Sequence, residues 1–268
     1  MPDSLKKPIV LAAAAHPDDI EFMMSGTLLR LKDAGADIHM WNLANGSCGT
    51  AVHSKERIIL LRWSESLASS EIAGAQMHPP LCDDFQIFYA PYLLARVAAV
   101  LRNIRPDILL TPSPRDYLED HQNACRLLVT AAFVRGMNNF RADPPVPKIE
   151  GDIVLYHALP HGLRDGLRQI VRPEHYVDIT DCLSNKRKML EAHHTQKEWL
   201  DSSQGMDAYV NEMERMSRQV GEWSGRFQYA EGWRRHNPLG FGPKDYDPLS
   251  ELLGDACWID PEYEEFVD

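Results

Sequence analysis

The sequence predicts an α/β fold: a Rossmann-like, mostly parallel sheet with helices on both faces and a site at the C-terminal strand ends. Three observations predict it. Residues 9–15, Ile-Val-Leu-Ala-Ala-Ala-Ala, are an unbroken apolar run of the kind that fills a strand buried on both faces. After it, short apolar runs alternate with amphipathic stretches of helical length, the pattern of helical crossovers between parallel strands. At the end of the first run, His16-Pro17-Asp18-Asp19 crowds one imidazole and two carboxylates into a strand-to-helix turn, where open α/β sheets hold their ligands.

The elements follow in order. Residues 20–34 carry Phe22, Met23, Leu28, Leu29 and Leu31 at helical spacing, and Gly35-Ala36 makes a turn. Residues 37–43 alternate enough for a second strand, which runs into the loop Asn45-Gly46-Ser47-Cys48-Gly49-Thr50. Residues 54–73 read as a helix with Ser54 as N-cap and Gly74 closing it. Residues 86–89 are expected to form a short strand, and 91–105 a helix with Pro91 in its first turn. A buried strand over 108–112 empties into a loop and then a helix over 121–133. A proline-rich segment, 141–151, breaks the pattern. Two further strands are expected over 152–157 and 176–179, and two further helices over 182–194 and 206–220. Met213, Met216 and Val220 on the last helix read as core. Residues 1–235 are therefore taken as one domain, with 236–268 a C-terminal extension packed on or beside it.

Composition narrows the function. At 268 residues and 44% apolar, the chain can bury a large core. A net charge of -11 with no basic block argues against nucleic acid as a partner. No apolar stretch approaches the roughly 18–20 residues of a membrane span, and the first residues lack the pattern of a secretory signal. A cytoplasmic location is the expectation. Five scattered cysteines without a CxxC pair read as reduced thiols, with Cys48 the one to watch in its loop. The first turn lacks GxGxxG and carries charge where a pyrophosphate would approach, which disfavours a dinucleotide.

The crowded turn suggests a metal. A catalytic zinc site uses three protein ligands and keeps one position open. His16 and Asp19, three residues apart, can face one ion and leave Asp18 free beside it. His121 follows another strand and reaches the same sheet edge, so it is the candidate third ligand. The competing readings are a helix N-cap pair for Asp18-Asp19 and a capped surface residue for His121. The cap explains neither His16 nor a separate histidine after a second strand.

Ala15-His16-Pro17-Asp18-Asp19 after a strand resembles the signature of the LmbE-like, or PIG-L-like, zinc-dependent N-deacetylases. The likeness continues in order along the chain. The loop at residues 45–50 followed by Arg62 and Glu65 resembles the family's glycine loop and its following helix, and Asp120-His121 its second metal motif. His194-Thr195-Gln196 resembles its His-Ser-Gln segment, and Tyr229-Ala230-Glu231 a late Tyr-x-Glu. The resemblance implies one zinc ion per chain, or another divalent metal, held by His16, Asp19 and His121, with Asp18 as general base. Arg62, Asp120, His194, Asn45 and Gly46 become expected substrate-binding or supporting residues. The implied activity is removal of an acetyl group from an N-acetylated amino sugar or its glycoside, by an enzyme that can be a homo-oligomer. One departure stands out: where the family's second motif has its first histidine, this chain has Leu118, which cannot donate a hydrogen bond. Tyr117, His157, His161 and His194 are candidates to fill that role. Leu118 also motivates an alternative, a metal-containing carbohydrate-binding protein without catalysis. A sugar-stacking surface could include one of Trp41, Trp63, Trp199, Trp223, Trp233 and Trp258.

Overall fold

A computed structural model describes residues 7–196 and 207–263. Eight strands form one sheet in the order β3-β2-β1-β4-β5-β7-β6-β8. They are β1 (Ile9–Ala14), β2 (Asp37–Asn42), β3 (Gln76–His78), β4 (Ile108–Thr111), β5 (Val154–Ala158), β6 (His175–Asp178), β7 (Ala230–Arg235) and β8 (Cys257–Ile259). The first five are parallel neighbours, with Val10 of β1 in register with Ile38 of β2 and Ile108 of β4. The chain leaves β1 toward β2 on one side and reaches β4 on the other, so β1 and β4 frame a topological switch point. The β7 strand runs antiparallel to both β5 and β6, and β8 antiparallel to β6. The sheet is therefore parallel in one half and mixed in the other.

The helices are α1 (Asp19–Met23), α2 (Ser25–Asp33), α3 (Lys55–Ala73), α4 (Pro91–Ile104), α5 (Glu119–Phe133), α6 (Leu183–Glu191), α7 (Asp207–Ser224) and α8 (Pro248–Leu253). Alternate β1 residues feed two apolar cores: Leu11 and Ala13 face the α4 and α5 side, Val10 and Ala12 the α2 side. Met213, Met216 and Val220 of α7 are buried in a third cluster, so that stripe is core. The expected helix at 206–220 begins at a residue, Met206, outside the described ones. Among the described residues, no helix is long and apolar enough to cross a membrane.

Three expectations are corrected. Residues 86–89 form no strand; the edge strand is β3, reached directly from the left-handed cap at Gly74 (φ 59°). In the 86–89 stretch only Ile87 is buried, while Phe88 and Tyr89 are exposed, so no apolar face repays pairing there. The strands β3, β7 and β8 are additions to those the sequence predicts. Helix α6 ends at Glu191, three residues earlier than expected. The expected helix at 20–34 is two helices, broken at Met24 (φ -131°). The break stays satisfied through distant residues. Lys186 Nζ donates to the carbonyls of Glu21 (3.2 Å) and Phe22 (2.7 Å), and Glu231 accepts from Gly26 N (2.8 Å) and Thr27 N (2.7 Å). Lys186 and Glu231 are themselves paired at 2.6 Å.

Beyond residue 235, the chain adds β8 to the sheet and lays α8 against α2. Asp247 caps α8, accepts from Tyr156 Oη at 2.5 Å and lies 2.6 Å from His175 Nε2. Burial lowers the His175 imidazole, but Asp247 and Glu174 outweigh it and hold it at about 9. Burial raises the Asp247 carboxyl, but His175 and Tyr156 bring it to about 2. The histidine's contribution is complete below its unfolded value of about 6.5 and is lost as pH rises through 9. The aspartate's contribution is complete above about 3.8 and is lost as pH falls through 2. His175→Gln is therefore expected to remove about 2–3 kcal/mol at pH 6 and little above pH 9. Denaturant titrations at the two pH values check this; an equal loss at both would refute the ion pair.

Candidate active site

The turn after β1 lies at the switch point and opens a cavity of about 430 Å³. Asp19 Oδ2 accepts from the His16 backbone N–H at 2.8 Å, which closes the turn. Asp18 sits between them at φ 98°, a left-handed backbone that costs energy in any residue with a Cβ. His16, Asp18 and Asp19 all line the cavity, Asp18 the most buried of the three.

The predicted ligand set converges. One ligand atom from each of His16, Asp19 and His121 lies within 4.8 Å of the other two. Each imidazole is oriented by a carboxylate from the β4–α5 region. His16 Nε2 meets Asp120 Oδ2 at 2.9 Å, and His121 Nδ1 meets Asp116 Oδ1 at 3.0 Å. The opposite nitrogens, His16 Nδ1 and His121 Nε2, then lie 3.7 and 3.4 Å from the two Asp19 oxygens. Two imidazoles and a carboxylate, each imidazole backed by a second carboxylate, fit a divalent ion such as zinc. Burial opposes charge on His16, but Asp120 and Asp19 outweigh it and raise the ring to about 10. His121 is raised in the same way by Asp19 and Asp116, and Asp19 is pulled well below the usual carboxylate range by His121 and His16. The carboxylates thus favour positive charge here, which a cation supplies by displacing the protons.

Asp18 is kept apart from this set. Tyr209 Oη donates to its Oδ2 at 3.0 Å, and Arg62 Nη1 is 3.9 Å away. Burial raises its carboxyl, Arg62 opposes that, Asp19 adds to it, and the result is about 6. Arg62 is buried and donates to the carbonyls of Pro17 and Gly49 and to Gln196 Oε1. The glycine loop serves Arg62. A Cβ at Gly46 (φ 76°) would lie 2.8 Å from Arg62 Cγ, and one at Gly49 would lie 2.5 Å from Nη2. Asp84 fastens the loop by accepting from Gly46 N (2.7 Å) and Cys48 N (2.8 Å).

The other expected residues divide. Gly46 and Arg62 line the cavity; Asn45 does not, and braces Asp83 at 2.7 Å. Asp120 acts through His16. His194 is exposed and does not line the cavity; its neighbour His193 is buried, with Nε2 3.1 Å from Glu21 Oε1. Both histidines lie past the end of α6, where a one-residue offset decides which of them goes inside. Thr195 is fixed by Glu65, which accepts from its N and Oγ1 at 2.7 Å each. His157 is buried away from the cavity, 2.9 Å from His236 Nδ1 and 3.4 Å from Cys125 Sγ. Leu118 lines the cavity without a donor, as do Tyr117 and His161 with donors. No tryptophan among the described residues lines it, and Trp199 is outside them. The residues missed were Asp84, Asp116 and Tyr209. Asp116 had a local signal, a carboxylate five residues before a candidate ligand on the same loop; the other two had none.

Residues 11–133 match the family model described as PIG-L, GlcNAc-PI de-N-acetylase. The chain is 29% identical over 194 residues to the diacetylchitobiose deacetylase of Thermococcus kodakarensis, covering 70% of this chain and 69% of that protein. The N,N'-diacetylchitobiose deacetylase structure from Pyrococcus horikoshii superposes with a TM-score of 0.74 at 22% identity, over 91% of this chain and 89% of that one. The 4-carboxy-2-hydroxymuconate hydratase of Pseudomonas putida KT2440 superposes at 0.73 and 21% identity, over 90% of this chain and 100% of that one. Both superpositions establish the shared α/β fold.

Proposed function

From the premise that this chain carries a PIG-L family domain, we propose that it is a metal-dependent hydrolase that removes an acetyl group from an N-acetylated amino sugar or its glycoside. The observation that carries this reading is a buried, titratable carboxylate, Asp18, held beside a His-Asp-His donor set in one cavity. His16, Asp19 and His121 would hold a divalent ion, which would supply an acidified water and polarise an amide carbonyl.

Asp18 takes a proton from the attacking water and delivers it to the nitrogen as the C–N bond breaks, so one amide and one water give acetate and an amine. Arg62 stays with its carbonyl partners and keeps Asp18 from being fully protonated near neutrality. His161 lies across the cavity with its ring against Phe22 (4.7 Å between centroids). That ring has no hydrogen-bond partner among the described residues, and burial lowers its pKa, so it is neutral and holds one N–H to donate. It takes the oxyanion role that Leu118 cannot fill. His161→Ala is expected to lower kcat by about 10²–10³-fold with KM and metal content little changed. A drop of less than threefold would remove His161 from the mechanism.

Asp18, Asp19, Asp84 and Asp116 line the cavity together with His16, His121 and Arg62, so its charges are mixed. The test is amine release by the zinc-loaded protein from a panel of N-acetyl hexosamines and their glycosides, with and without a chelator. Release that the chelator abolishes supports the hydrolase. Bound zinc with no release from any substrate favours the alternative of a carbohydrate-binding protein.

A further inference from the structure

Phe85 is a bulky residue in the left-handed region, at φ 60°, where a side chain with a Cβ is strained. The strain is not repaid by burial, because the residue is 58% exposed. It is repaid by placement. Phe85 N donates to Asp120 Oδ2 at 2.7 Å, the same oxygen that meets His16 Nε2. One carboxylate atom therefore orients a candidate metal ligand and presents a phenyl ring next to it, with centroids 6.3 Å apart. Tyr117 places a second ring beside the other imidazole. It is 57% exposed, lines the cavity and lies edge-on to His121 at 5.7 Å.

We infer that Phe85 and Tyr117 form an aromatic clamp that takes the apolar C–H face of a pyranose ring and so makes the site selective for cyclic amino sugars over acyclic N-acetyl amines. The inference rests on the hydrolase reading for the bond that is cut, but not for the ring that is held. An exposed aromatic pair beside the two imidazoles suits a ligand with one apolar face and a polar edge. A hexosamine meets both conditions. The ring would sit at the mouth, and its acetamido group would reach inward to Asp18.

The test uses methyl N-acetyl-β-glucosaminide and, as an acyclic control, N-acetylethanolamine, titrated into the zinc-loaded protein with saturation-transfer NMR. Phe85→Ala and Tyr117→Ala are each expected to weaken sugar binding about tenfold and to leave the control unchanged. Phe85→Trp is expected to keep sugar affinity. Phe85→Gly is expected to lose it while melting no lower than the wild type, because glycine relieves the backbone strain. Wild-type sugar affinity in both alanine variants, no sugar binding by the wild type, or equal loss of the acyclic control would overturn the clamp. Phe85-dependent sugar binding without amine release would sink the hydrolase reading and leave the clamp standing. Amine release with sugar affinity and KM unchanged in both alanine variants would do the reverse.

Discussion

Asp18→Asn is expected to lower kcat by about 10³–10⁴-fold while the protein keeps its metal and its fold. Asparagine has nearly the same shape and can still accept from Tyr209, but it cannot take a proton. It also tolerates the left-handed backbone at φ 98° better than most residues. The wild-type rate should rise with pH as the buried carboxyl ionises, and the residual rate of the variant should lack that limb. The stability consequence has the opposite sign. A carboxyl raised from 3.8 to about 6 penalises the folded state once pH exceeds 3.8, and the penalty is complete above 6. The variant should therefore be more stable than wild type at pH 7, by about 3 kcal/mol at most, and no more stable at pH 3. Steady-state kinetics, metal content and denaturation at the two pH values are the measurements. Turnover within tenfold of wild type would show that another group is the base.

Legibility followed the range of each interaction. The first strand, its turn and the convergence of His16, Asp19 and His121 could be read because each rests on local pattern: an apolar run, a close polar cluster, and a histidine just past a strand. Leu118 could be read as a departure for the same reason. The break at Met24 could not, because its partners Lys186 and Glu231 lie more than 150 residues downstream. The Tyr229-Ala230-Glu231 segment was recognised, but its role was not: Glu231 caps a helix end rather than touching the cavity. Asp84 and Tyr209 act through tertiary approach alone. The two histidines at 193 and 194 show the limit of resemblance, since a one-position slip exchanges a buried partner of Glu21 for a solvent-exposed side chain.

The break makes a second large effect calculable. Glu231→Ala is expected to cost about 3–5 kcal/mol, because it leaves a buried ammonium without its counter-charge and two helix N–H groups without an acceptor. Lys186 has no exposed surface and Glu231 almost none, so water cannot replace what is lost. Domains of ordinary stability hold about 5–15 kcal/mol in total, so the variant should unfold at far lower denaturant than wild type. Removing the whole pair is a different case. Lys186→Met with Glu231→Leu deletes both buried charges, and such replacements are often neutral or better. Here the two N–H groups of Gly26 and Thr27 would still be unmet and the carbonyl of Phe22 would lose its Lys186 donor, while that of Glu21 keeps Ser25 Oγ at 2.7 Å, so recovery should be partial. A double-mutant cycle therefore separates the ion pair from the capping: the coupling energy reports the pair, and the residual loss in the double variant reports the orphaned backbone. Activity should follow, because α1 begins at Asp19, and loosening its C-terminal end loosens the turn that carries Asp18 and His16. A loss below about 1 kcal/mol for Glu231→Ala would mean that the buried pair does not hold the broken helix together.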